Sequence, residues 1–207
     1  MNKFTGFLGV ILLLGGCAVG NTYDYESQVF SLPVAGSGEL GLAVVDARPY
    51  VVSGQKSADF VGYQRGGFGN RFDVKTTTGN PMVQDMQAAL LRSLESNGYM
   101  VKPMTIAAPD PEVIAKAVSD HSLDRYLILV IREWLTDVMM SFGLTYDVLL
   151  QVLDSDATVL GEAASSGEKE KLGGGGMQRQ NSIAAGRAFE AKISRLFNDP
   201  NIRRALE

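Results

Sequence analysis

The residues able to do chemistry are few. The chain holds one cysteine, Cys17, and one histidine, His121, among 207 residues. His121 lies in Ser119-Asp120-His121-Ser122, and a Ser/His/Asp relay would need it as the base. The segment reads as the end of a helix. Adjacent helical residues do not face one another, so these neighbours cannot build the relay among themselves. A histidine is electrostatically favoured at a helix C-terminus, and a capping or surface role is expected. Zinc would need carboxylates with this one histidine and no free thiolate, which is not a usual donor set. Asp154-Ser155-Asp156-Ala157-Thr158 clusters oxygens, but Glu162 is too close to be the bidentate acid of an EF-hand loop, and a tight turn is expected. Gly66-Gly67-Phe68-Gly69-Asn70 and Gly173 to Gly176 both lack the Gly-Lys-Ser/Thr of a phosphate loop. The first reads as a hairpin turn. The second reads as a mobile loop, because four glycines cost much backbone entropy to order. No catalytic residue, no metal and no cofactor is expected, and the chain reads as a non-enzyme.

Binding chemistry is better represented. Tyr63, Phe68 and Phe72 alternate with Arg65 and Arg71 on a glycine-supported loop. Aromatics and arginine in such settings are common binding anchors. Stacking on a sugar, as on peptidoglycan, uses the same groups. The competing reading is that these aromatics pack the loop onto the domain.

Cys17 ends Leu14-Gly15-Gly16-Cys17. Lys3 and an apolar run from Phe4 to Leu14 precede it, the parts of a secretory signal. At about 1.5 Å per residue the run is too short to span a hydrocarbon core of roughly 30 Å. Leu-Gly-Gly-Cys resembles the lipobox of bacterial lipoproteins; the alternative is an ordinary signal peptide with a chance cysteine. The resemblance implies removal of residues 1–16, a diacylglyceryl thioether and N-acylation on Cys17, and a lipid-anchored product. Ala18, in place of the aspartate that retains enterobacterial lipoproteins in the inner membrane, implies the outer membrane, facing the periplasm. The mature 191 residues would then hold no free thiol, which excludes disulfides and thiolate chemistry.

Loss of Lys3 leaves 18 basic and 23 acidic residues. No basic run exceeds Arg203-Arg204, so nucleic-acid binding is not expected. The sequence leaves the oligomeric state open.

Elements follow from pattern. Residues 17–32 read as lipidated cysteine and polar tether, and 33–207 as one domain. Leu40 to Val45 is a short buried strand, and Tyr50 to Asp73 a hairpin-like excursion. Asn80-Pro81, Asp110-Pro111 and Asp199-Pro200 are helix starts, with the Asn or Asp as cap and proline in the first position. The first helix repeats Met82, Met86, Leu90 and Leu94 every four residues and stops at Gly98. The second buries Val113, Ile114, Ala117 and Val118 on one side. A longer helix from about Asn181 or Ser182 buries Ile183, Gly186, Phe189 or Glu190, Ile193 and Leu196. Tyr99 to Pro103 is a short strand, and Tyr126 to Ile131, apolar on both faces, is central. Leu144 to Val152 alternates, and Thr158 to Ala164 closes a meander. The fold class is α+β: a mixed sheet with a C-terminal antiparallel meander packed by amphipathic helices.

The lipobox, the junction Ser96-Asn97-Gly98-Tyr99-Met100-Val101, the meander Tyr126 to Ser165 and the final amphipathic helix resemble the YajG-type lipoproteins of Gram-negative bacteria. Small lipoproteins of the ABC-transporter auxiliary type share a similar layout and act as envelope transport components. The resemblance implies location and fold, and no enzymatic role. The function expected is non-catalytic binding of an envelope protein or glycan by an outer-membrane lipoprotein. The alternative is an auxiliary subunit of a lipid or solute transport system, and a cell-wall hydrolase comes third. A pocket above roughly 300 Å³ would favour the alternative.

Overall fold

The computed structural model describes residues 20–175 and 177–207. The signal segment, Cys17 and Ala18 lie outside them. The described elements are β1 (Thr22–Tyr23), β2 (Glu39–Asp46), α1 (Pro49–Val52), β3 (Phe60–Arg65), β4 (Arg71–Thr76), α2 (Met82–Ser96), β5 (Met100–Pro103), α3 (Pro111–Ser119), β6 (Tyr126–Val138), β7 (Ser141–Leu153), β8 (Val159–Gly174), α4 (Gln178–Phe197) and α5 (Pro200–Leu206). They form the expected α+β architecture.

β6 organises one mixed sheet. Its first half pairs in parallel with β2, from Tyr126 opposite Gly41 to Ile131 opposite Asp46. Its second half pairs in parallel with β3, from Thr136 opposite Gly62 to Val138 opposite Gln64. The sheet therefore forks, with β5 beyond β2, and with β4 and β1 beyond β3. On its other side β6 pairs antiparallel with β7, and β7 with β8, giving the meander.

A bulge at Arg132 lets β6 serve both branches. One extra residue reverses the alternation, so Leu127, Leu129 and Ile131 bury on one parity, and Trp134, Thr136 and Val138 on the other. This accounts for the mixed pattern after Ile131 in the sequence.

The larger core lies under α2 and α4. Met82, Met86, Leu90 and Leu94 of α2 are fully buried against Leu42, Leu127 and Leu129. Full burial of each such side chain is worth about 1.5–3 kcal/mol as an upper bound. The helix ends where Gly98 takes φ +97°, and a Cβ there would meet the Gly36 carbonyl oxygen at 2.4 Å. The opposite face carries a smaller core, where Ile114 and Val118 of α3 cover Ala43, Val45, Ile128 and Val130.

Several expectations are corrected. The tether does not extend to residue 32, because Tyr23, Tyr25, Phe30 and Leu32 are core residues that the polar neighbours disguise. Asn80 does not cap α2. Pro81 occupies the cap position, and the Met82 amide donates instead to the Ala58 carbonyl at 2.9 Å. Asp110 and Asp199 do cap, each accepting from the amide two residues on, at 2.9 and 2.8 Å. α4 begins at Gln178, where the Met177 carbonyl accepts from the Gln180 and Asn181 amides at 2.9 and 3.2 Å, and Asn181 is buried inside the helix with its side-chain amide on Gln64. Ile183 is 45% exposed rather than core. Val113 is also exposed, while Ile114 and Val118 carry the α3 contact. Gly173 and Gly174 belong to β8, where pairing with Phe142 and Ser141 outweighs their local entropy cost.

Candidate functional site

The aromatic-arginine segment is the β3–β4 hairpin. Arg65 stands opposite Arg71, and Tyr63 opposite Asp73. The Gly66 amide donates to Asn70 and the Gly69 amide to Gly66, each at 2.9 Å, with Gly69 at φ +81°. The expected hairpin turn is therefore present.

The five candidate residues are divided by their surroundings. Tyr63 packs on Phe60 with ring centres 5.1 Å apart. Lys56 and Arg71 lie over its ring, each 5.0 Å from the centre. Arg65 donates through Nε to Asp137 at 2.7 Å and forms a second bond through Nη2. That pairing holds the Asp137 carboxyl below its ordinary value, first through the hydrogen bond and against partial burial. Phe72 is half-buried, with its ring edge 3.2 Å from a Cβ built at Gly66. Phe68 alone stands free, at 103% exposure. Tyr63, Arg65 and Phe72 thus set the hairpin's shape, the exposed Arg71 covers the Tyr63 ring, and Phe68 faces solvent.

The remaining candidates are structural. His121 is exposed, and its Nδ1 donates to the Ala117 carbonyl at 2.8 Å, capping α3. Asp154 Oδ1 accepts from the amides of Asp156 and Thr158, at 2.9 and 2.8 Å, which makes the tight turn. Glu162 lies in β8 and accepts from Gln151 at 2.7 Å. Among the described residues, no three or more His, Cys, Asp or Glu are grouped to hold a metal.

Two features were not foreseen. Arg48 is fully buried where β2 and β3 diverge. It grips Asp46 through Nε at 2.8 Å and Nη2 at 2.7 Å, and donates Nη1 to the Phe60 carbonyl at 2.6 Å. Its charge is thereby paired, and it staples the fork. The only sequence signal was a charged pair, Asp46 and Arg48, ending an apolar run.

The second is a cleft of about 490 Å³ between α3 and the meander. Ile114, Val130, Leu149 and Leu153 form its apolar floor, and Arg132, Gln151 and Glu162 its polar side. Arg132 is exposed at the bulge. β8 borders this cleft as an edge strand, pairing with β7 alone among the described strands.

No family model matches the chain, and no curated protein matches it in sequence. Solved structures do share its fold. Protein XCC0632 from Xanthomonas campestris, a DUF330 protein, superposes with a TM-score of 0.53 at 12% identity, over 85% of this chain and 94% of that one. Lipoprotein GNA1162 from Neisseria meningitidis aligns with a TM-score of 0.46 at 15% identity, over 79% of this chain and 100% of that one. The PelC dodecamer from Paraburkholderia phytofirmans gives 0.41 at 9% identity, over 86% and 95%. The likeness to XCC0632 is one of fold. No helix of the described residues is long and apolar enough to cross a membrane.

Proposed function

We propose that the protein is a lipoprotein held through Cys17 on the periplasmic side of the outer membrane, and that it binds an envelope protein without catalysing a reaction. Leu14-Gly15-Gly16-Cys17 supports the anchor. The observation that carries the binding reading is the unpaired edge of β8 beside the cleft. An edge strand offers free backbone groups to an extended segment of a partner, and a flanking cleft takes alternate side chains. Glu162 and Ala164 are exposed along that edge, with Val159 and Leu160 at its start. The test places a photo-crosslinking residue at Ala164 or at Phe68 in the full-length protein in intact cells. A protein adduct from Ala164, mapped by mass spectrometry to one extended segment, is the expected result. Adducts from Phe68 alone, to protein or to peptidoglycan, would move the partner surface to the hairpin.

The cleft favours one second reading, an auxiliary role in lipid or solute transport. Its volume and apolar floor suit a chain or ring of moderate size. Native mass spectrometry of the purified protein tests this. Co-purified ligand lost in Leu149→Arg supports it, and a ligand-free spectrum opposes it.

A further inference from the structure

We propose that the sheet end bearing the β3–β4 and β6–β7 turns is a membrane-docking end, where Phe68, Met139, Met140 and Met177 enter the headgroup layer of a phospholipid surface. The inference deepens the anchored-lipoprotein reading and rests on it for the orientation.

Phe68, Met140 and Met177 are the most exposed large apolar side chains among the described residues, at 103%, 84% and 74%. Single exposed apolar residues are ordinary. These three share one end of the molecule. β3 runs parallel to β6, so the turns that follow them leave the sheet together. The Arg65–Asp137 pair ties the two turns. The Gly175 amide donates to the Met140 carbonyl at 3.0 Å, which brings the start of α4, and Met177 with it, to the same end. Arg71, Lys171 and Arg179 stand exposed in the segments that form this end, and Arg65 neutralises the Asp137 carboxylate there. Apolar tips beside basic residues suit an anionic interface.

The anchor selects this end. Cys17 and Thr22 are five residues apart, at most about 17 Å when fully extended. Thr22 pairs with Lys75, four residues along β4 from Arg71 at the hairpin turn, or about 13 Å. The leash therefore reaches the base of the hairpin turn, from which Phe68 projects. The β7–β8 turn lies at the far end of β7, whose 13 residues span about 43 Å. No extension of the leash sets that end on the same surface.

The test uses full-length protein purified from membranes and reconstituted into phosphatidylethanolamine–phosphatidylglycerol vesicles with brominated acyl chains. Phe68→Trp and Met140→Trp place reporters at the tips, and Ser155→Trp places one in the β7–β8 turn. The native Trp134 is fully buried and supplies a constant background. At least twofold quenching of the two tip reporters, with the Ser155 reporter unchanged, is expected. Tip reporters no more quenched than the Ser155 reporter overturn the proposal. Intact mass of the same samples reports lipid on Cys17 separately. Quenching without added lipid mass would keep the docking end and discard the anchor, and lipid mass without quenching would do the reverse.

Discussion

Trp134 Nε1 donates to the Tyr25 hydroxyl at 2.9 Å, across 109 positions of sequence and with both side chains fully buried. The bond locks the N-terminal segment onto the second half of β6. Phe189 of α4 meets both rings edge-on, at 5.9 and 6.1 Å. Burial pushes the Tyr25 phenol well above its ordinary value, so it stays neutral across the physiological range. Tyr25→Phe keeps the ring and strands the indole N–H. Chemical denaturation should show a loss of about 1–3 kcal/mol, the cost of an unsatisfied buried donor. An unchanged midpoint would show that the Trp134–Tyr25 hydrogen bond adds nothing to stability beyond the packing of the rings.

Arg48 should be intolerant of replacement. Arg48→Met fills similar space but leaves Asp46 without its partner in a site where Asp46 is 14% exposed. Removing one member of a buried pair costs about 3–5 kcal/mol. Urea unfolding of Arg48→Met measures this, and the double variant Asp46→Leu/Arg48→Met should recover part of the loss.

Asp85 gives a pH-dependent signature. It is 1% exposed, and its pKa is raised from 3.8 by burial, against the opposing bond from Thr78. A carboxyl raised in the folded state holds its proton longer than in the unfolded chain. Its contribution therefore falls as pH rises from 3.8 through the folded value. Asp85→Asn should gain stability relative to wild type at pH 7, and the gain should vanish as pH falls below 3.8. Paired denaturation curves at pH 7 and pH 3 decide it, and a gain that is equal at both would exclude the titration of Asp85 as its source.

Gly62→Ala should disrupt the fork. Gly62 has φ +149°, and a Cβ there would lie 2.2 Å from the Thr136 carbonyl oxygen. That neighbour is backbone, so relief requires parting β3 from β6. A loss at or above the usual 1–3 kcal/mol of overpacking is expected by thermal or chemical unfolding.

Tyr63→Ala and Phe68→Ala should separate within one hairpin. Tyr63 loses ring contact with Phe60 and the cations over its face, together about 1–3 kcal/mol. Phe68 touches nothing that stabilises the fold, and its truncation should stay within about 0.5 kcal/mol. Melting curves of the two variants test the assignment, and equal losses would contradict it.

Much of the fold was legible locally. The four-residue repeat from Met82 to Leu94, the apolar run Tyr126 to Ile131 and the Asp-Pro caps each state their structure within a few residues. There the burial face, the doubly buried strand and the orphan amides are local matters. Of the candidate site, the hairpin turn was legible from its glycines. The division of its side chains was not, because Asp137 lies 72 positions from Arg65 and no local pattern links them.

The sequence by itself marked the long helix-period and strand-period segments, the closing meander and Cys17 as the chain's one thiol. Tertiary structure decided what long-range pairing controls. It drew Tyr23 and Tyr25 out of an apparent tether, held Gly173 and Gly174 in a strand opposite Phe142 and Ser141, and buried Arg48 between two branches of the sheet. It also set Phe68 and Met140 at one end through the parallel register of β3 and β6. Periodicity states which face a residue takes along its own element. Which element lies opposite depends on closing loops of tens of residues, and that information resides in the packed whole.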